Sequence, residues 1–119
     1  MDTEKGIQHE RSGDCRPVVV GALAEHITQA DALLLAAPEY NDSLPGVLKN
    51  AAEWLSRVPG SIFSRKPVAI MGASMGGMET RRSQYHLRQV LVFLDMHPLN
   101  KPEVFLSAAH ESVMSRVIW

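Results

Sequence analysis

The stretch Asp31-Ala-Leu-Leu-Leu-Ala-Ala37, followed by Pro38-Glu-Tyr-Asn-Asp-Ser-Leu-Pro45, decides the fold. The first part is apolar without a polar face and is bounded by Asp31 and Pro38. That is the pattern of a strand covered on both sides, as in a parallel sheet. Pro67-Val-Ala-Ile-Met-Gly72 repeats the pattern, and Glu103-Val-Phe-Leu106 is a shorter third case. Strands are therefore expected near 32–37, 67–72 and 103–106.

Helices fill the gaps. Pro17 suits a first helical turn, and Val19, Leu23 and Ile27, with Val20 and Ala24 beside them, form an apolar stripe. The Val18-Val19-Val20 run would also suit a strand. A second helix starts at Pro45 after Ser43, with Val47, Ala51 and Leu55 plus Leu48 and Ala52 as its stripe, and Pro59-Gly60 ends it. A third spans Ser83 to Asp95, with Leu87, Val90, Leu91 and Leu94 on one side, and Pro98 breaks it. Residues Ala108 to Trp119 match neither pattern clearly. Strands alternating with helices indicate a parallel sheet, and right-handed crossovers put both strand-to-helix loops at its carboxyl edge. Those loops, Pro38 to Leu44 and Gly72 to Thr80, are where open α/β sheets bind ligands.

The 119 residues fit one domain. Apolar residues make up 45% and charged residues 21%, an ordinary globular composition that excludes disorder and collagen. Net charge is −1, so no bulk field draws the chain to nucleic acid or to an anionic membrane. One cysteine, Cys15, allows no intrachain disulfide, which makes a reducing, cytoplasmic compartment the expectation. No apolar run is long enough to cross a bilayer. Residues 1–16 are polar and mixed in charge and read as a tail, with residues 17–119 as the domain. The five histidines form no cluster at metal-ligand spacing and read as surface or helix-face residues.

The first loop places an aromatic ring, an amide and a carboxylate at a strand end, just before a helix N-terminus. A planar heteroaromatic ligand could stack beside Tyr40 and accept bonds from backbone amides there. The alternative is a polar loop with a good helix start. The stretch Pro38-Glu-Tyr-Asn-Asp-Ser-Leu-Pro-Gly-Val-Leu-Lys-Asn-Ala-Ala-Glu-Trp-Leu-Ser-Arg57 resembles the signature of the NADPH-dependent FMN reductase family, the flavodoxin-like group of quinone, chromate and azo-dye reductases. Gly72-Ala-Ser-Met-Gly-Gly77 resembles that family's other flavin loop. Ser83-Gln-Tyr-His-Leu-Arg-Gln-Val-Leu-Val-Phe-Leu-Asp95 and Asn100-Lys-Pro-Glu-Val104 resemble the helix and strand after it. The resemblance covers roughly Pro17 to Phe105.

The resemblance implies a flavodoxin-like α/β fold, a parallel sheet with helices on both faces, and noncovalent FMN with NADPH or NADH as hydride donor. By position, Pro38, Glu39, Tyr40 and Asn41 match the loop lining the isoalloxazine ring. Gly72, Ala73, Ser74, Met75, Gly76 and Gly77 match the loop at its other edge. Small residues there would let main chain approach the ring closely. The implied reaction passes electrons through FMN to a small-molecule acceptor: a quinone, flavin, azo compound or metal oxyanion. The flavin carries that chemistry, so no catalytic side chain and no metal is expected. Relatives are commonly homodimers or homotetramers, with Trp54, Leu55 and the Tyr85 to Leu94 helix as interface residues.

The sequence also departs from the family pattern. The family's first strand and the Ser- and Arg-rich phosphate loop after it have no match before Pro17, and the stretch after Phe105 differs. The expectation is thus an incomplete flavodoxin-like domain, either a working reductase or a non-catalytic truncated remnant acting only as an association module. Glu79 stands where relatives usually carry Gly. Arg81, Arg82 and Arg88 read as a solvated helix start, a landing site for NADPH phosphates, or intersubunit partners of Asp42 or Glu103. Met71, Met75, Met78 and Met96 are expected to fill core or line the flavin pocket.

Overall fold

The computed structural model describes residues 16–75 and 79–114. Residues 1–15 of the expected 1–16 tail, Cys15 among them, and Gly76, Gly77 and Met78 of the second loop lie outside the described residues. The elements in order are α1 (Val18–Gln29), β1 (Leu33–Ala36), α2 (Gly46–Ser56), β2 (Pro67–Ala73), α3 (Arg81–Phe93), β3 (His97–Pro98), β4 (Val104–Leu106) and α4 (Ala109–Met114).

Among the described residues the strand pairs are all parallel, as the alternation requires. β2 is central. Leu33 to Ala36 lie opposite Val68 to Met71 on one side of it. On its other side β3 pairs with Pro67–Val68 and β4 with Met71–Ala73. The expected third strand is therefore two short pieces on one edge of β2, with 99–103 looping out between them. The sequence reading missed β3, a two-residue strand containing Pro98. It joins the sheet through flanking amides: His97 N–H donates to Lys66 O (3.0 Å) and Leu99 N–H to Val68 O (2.8 Å).

The core sits on one face of this sheet. Val68 and Ile70 of β2, with Leu33 and Leu35 of β1, meet Ala24 and Ile27 of α1, Leu55 of α2, and Leu87 and Leu91 of α3. Right-handed crossovers that all step the same way across a sheet put every helix on the same side. The opposite face carries Leu34, Ala36, Ala69 and Met71. Leu34 is 64% exposed, so the strand expected to be covered on both sides is covered on one among the described residues. An unbroken apolar run shows that a face is apolar, not that something packs on it.

Each helix shows its stripe, with one rotation. In α1 the buried line is Val20, Ala24 and Ile27, while Val19 and Leu23 are exposed. In α2 the line runs through Leu48 and Leu55, and Val47 faces outward. Both expected stripes were thus broader than the face that packs. α3 ends in a Schellman turn: Met96 N–H donates to Leu91 O (3.0 Å) and Asp95 N–H to Val92 O (3.2 Å), with Asp95 at φ 56°. The helix stops two residues before the expected Asp95 because of this turn, before Pro98 is reached. Lys66 Nζ donates to Ala30 O (2.7 Å), tying the C-terminal end of α1 to the start of β2.

Candidate functional site

The parallel sheet delivers both loops to one edge. Ala37 N–H donates to Met71 O at 2.9 Å, so β1 and β2 end side by side. The first loop then reverses tightly. Tyr40 and Ser43 exchange backbone bonds of 3.0 and 3.1 Å. Asn41 and Asp42 between them have φ of 49° and 61°. A two-residue turn with both central residues left-handed is a type I′ turn, where Asn and Asp pay the smallest penalty after Gly. The turn leaves the Tyr40 ring 60% exposed at the strand end. A shallow pocket of about 280 Å³ lies beside it, lined by Ala36, Pro38, Tyr40, Pro45, Val47 and Leu48.

The second loop leaves β2 at Ala73. Ser74 N–H donates to Leu106 O (2.9 Å), and Ser74 O accepts from Ala109 N–H (3.1 Å). Met75 is 75% exposed. Gly72 is buried, and a Cβ there would stand 2.1 Å from Thr80 Oγ1 and 2.7 Å from Ala37 O. Its smallness serves the junction between the strand ends and the start of α3. Glu79, at φ 59°, takes a left-handed conformation that favours glycine. Its carboxylate is held by Arg81 at 3.0 Å.

The start of α3 ties the loops together. Ser83 Oγ donates to Pro38 O (2.9 Å), and Ser83 N–H donates to Glu39 Oε2 (3.1 Å). Glu39 thus caps an orphan amide in the first turn of α3, where a carboxylate also meets the positive end of the helix dipole. Gln84 Nε2 donates to Thr80 Oγ1 (3.0 Å) and to Val104 O (2.9 Å). Thr80, Ser83 and Gln84 are at most 1% exposed. None of the three was singled out from the sequence. The available signal was that they extend the buried Leu87–Leu91 stripe back into a polar first turn.

The structure brings Pro38, Glu39, Tyr40 and Asn41 to the same sheet edge as Gly72, Ala73, Ser74 and Met75. The arginines of α3 have partners within the chain. Arg82 binds Asp42 (2.5 Å), Arg81 lies 4.6 Å over the Phe105 ring, and Arg88 donates to Asn100 Oδ1 and Leu99 O. Glu103 accepts from Tyr85 Oη (2.6 Å) and from Lys101 Nζ (2.9 Å). The Tyr85 bond, then Lys101, holds the Glu103 carboxyl below its ordinary range, and Glu103 holds the Tyr85 phenol above its ordinary value. A wider groove of about 950 Å³ runs between α2 and α3 from the first loop, with Ser43, Ala52, His86, Val90 and Phe93 among its walls. Leu55, expected at an interface, is instead in the core; Trp54 beside it is 37% exposed. No helix among the described residues is long and apolar enough to cross a membrane.

Comparison with known proteins agrees with this geometry. The sequence profile of the NADPH-dependent FMN reductase family matches residues 4–111. An NAD(P)H-dependent FMN reductase of Pseudomonas aeruginosa is 60% identical over 96 residues, covering 81% of this chain and 52% of that protein. A quinone reductase of Escherichia coli K12 is 56% identical over 87 residues, covering 73% of this chain and 46% of that protein. Among solved structures, FerB, a flavoenzyme NAD(P)H:(acceptor) oxidoreductase from Paracoccus denitrificans, superposes with a TM-score of 0.73 at 33% identity. That match covers 77% of this chain and 51% of FerB. The chain spans about half the length of these relatives.

Proposed function

Because this chain belongs to the NADPH-dependent FMN reductase family, we propose that it serves an FMN-dependent NAD(P)H oxidoreductase whose final acceptor is a small molecule of the quinone class. The observation that carries this reading is the meeting of the two loops at one sheet edge, Pro38–Asn41 after β1 and Gly72–Met75 at the end of β2. The residues present suit a flavin ring. Tyr40 and Met75 offer exposed, polarisable apolar surface, and Pro38, Pro45 and Val47 give a wall without charge. The strand-end backbone supplies hydrogen-bonding groups beside them. When bound, the flavin supplies the hydride-accepting and electron-passing chemistry. The chain's own part is to hold the ring's edge between the loops, to keep water from one side with Tyr40, and to offer backbone amides to polar ring atoms. Gly76 and Gly77 are included in this site by resemblance.

The acceptor reading draws on relatives named quinone reductase. We also propose that copies of the chain associate through the α2–α3 side. Phe93 and Val92 there are 86% and 74% exposed, and Trp54 and Tyr85 are partly exposed. A cytoplasmic location rests on the single cysteine. The reading is tested by titrating the chain with FMN and then adding NADPH or NADH. Saturable quenching of flavin fluorescence followed by nicotinamide-dependent bleaching supports it, and unchanged fluorescence refutes it.

A further inference from the structure

We propose that the Ser83–Gln84 pair is the positioning element of the flavin site, fixing the first loop against the second so that affinity for the ring, and not for the phosphate, depends on it. This rests on the flavin reading above. Both donors of Ser83 are committed to one dipeptide of the first loop: its hydroxyl to Pro38 O and its amide to Glu39. Gln84, the next residue, commits its amide nitrogen to Thr80 and to β4. Thr80 in turn backs Gly72, where no Cβ can be accommodated. Two adjacent residues therefore join the ends of β1, β2 and β4.

Packing alone does not require these residue types. The positions continue the Leu87–Leu91 stripe and are as buried as those leucines. Apolar side chains would fill them without the desolvation cost of a hydroxyl and a carboxamide. Nor does local capping require them. The Thr80 side chain makes no capping bond to α3 and accepts from Gln84, and the Ser83 amide is capped by Glu39, 44 residues before it. In this buried network Ser83 Oγ, Ser83 N–H and Gln84 Nε2 all donate, while Gln84 Oε1 has no partner among the described residues; the paired donors fix one relative placement of the loops.

The test uses Ser83→Ala and Glu39→Ala, with Glu39→Gln as the variant that keeps an acceptor for the Ser83 amide. Amide hydrogen exchange is followed in the chain without flavin, and FMN and riboflavin are titrated separately. Loss of one such bond is expected to speed exchange in residues 38–43 by about three- to tenfold while α1 is unaffected. Affinity for FMN and for riboflavin should fall together by about the same factor, with their ratio unchanged, and Glu39→Gln should recover most of both. Unchanged exchange at the loop overturns the proposal, as does equal acceleration across α1, which would mean general loosening. A loss confined to FMN overturns the ring assignment. If the unsubstituted chain binds neither flavin, the functional reading fails, and the exchange measurements still decide whether the pair registers the loops.

Discussion

Replacing Gly72 by Ala puts a methyl group where the protein has no space. The added Cβ would lie 2.1 Å from Thr80 Oγ1, 2.8 Å from Thr80 Cβ and 2.7 Å from Ala37 O. Thr80 is fully buried and held by Gln84, so rotating it away breaks a buried hydrogen bond. Ala37 O is backbone at the end of β1 and moves only if the strand moves. Overpacking a well-filled interior costs roughly 1–3 kcal/mol, and backbone contact puts this case in the upper half, about 2–3 kcal/mol. For a domain of this size each 1 kcal/mol lowers Tm by about 4–8 °C, so a fall of roughly 8–24 °C is expected. Calorimetry or urea denaturation followed by circular dichroism measures it. Combining Gly72→Ala with Thr80→Ala removes the nearest atom and leaves the contacts with the residue-80 Cβ and Ala37 O, so the pair should be less damaging than the sum of the singles. A Gly72→Ala protein within about 0.5 kcal/mol of the original, the range usual for surface changes, would refute the reasoning.

Truncating Leu87 to Ala, at the centre of the core, should cost about 2–5 kcal/mol, whereas Phe93→Ser, 86% exposed, should change monomer stability by at most ~0.5 kcal/mol while reducing self-association in sedimentation. With Tyr40→Phe as background, Tyr85 is the remaining tyrosine, and its ultraviolet titration should have a midpoint above the ordinary phenol value of 10.0 that falls back in Glu103→Gln. The sign follows from both partners. The raised phenol makes the contact favourable at neutral pH and lost as pH rises through that midpoint. The lowered carboxyl makes it lost again as pH falls through the Glu103 value, below 4.5. Lys66→Met should lower stability by about 1 kcal/mol through loss of the bond to Ala30 O, read in the same denaturation experiments.

Strands β1 and β2 were legible because contiguous apolar runs bounded by Asp, Pro and Gly have few other uses in a globular chain. Their parallel pairing followed from the helices between them. β3 was not legible: two residues, one a proline, carry no periodicity, and the strand exists only because β2 offers an edge. The end of α3 was hidden because Asp95, not glycine, takes the left-handed position. Exposure of Leu34 could not be read, since sequence reports a residue's preference and not its neighbours. At the site, both loops were legible as strand-to-helix junctions, and the type I′ turn is consistent with Asn41-Asp42. The contacts of Thr80, Ser83 and Gln84 were not, because their partners lie up to 45 residues away and no local pattern encodes a side chain's distant acceptor. For Arg81, Arg82 and Arg88 an intersubunit pair with Asp42 or Glu103 was one of three readings, beside a solvated helix start and a phosphate landing site; the structure pairs Arg82 with Asp42 within one chain.

Titrating the chain with riboflavin and FMN in parallel tests the central claim, that the loops at Pro38–Asn41 and Gly72–Met75 together hold a flavin ring. Riboflavin carries the ring without the phosphate, so its binding reports on these loops. The account predicts saturable quenching of both flavins, weakened for both in Gly72→Ala protein that is still folded at the working temperature. Riboflavin fluorescence that stays constant as the protein is added would contradict it.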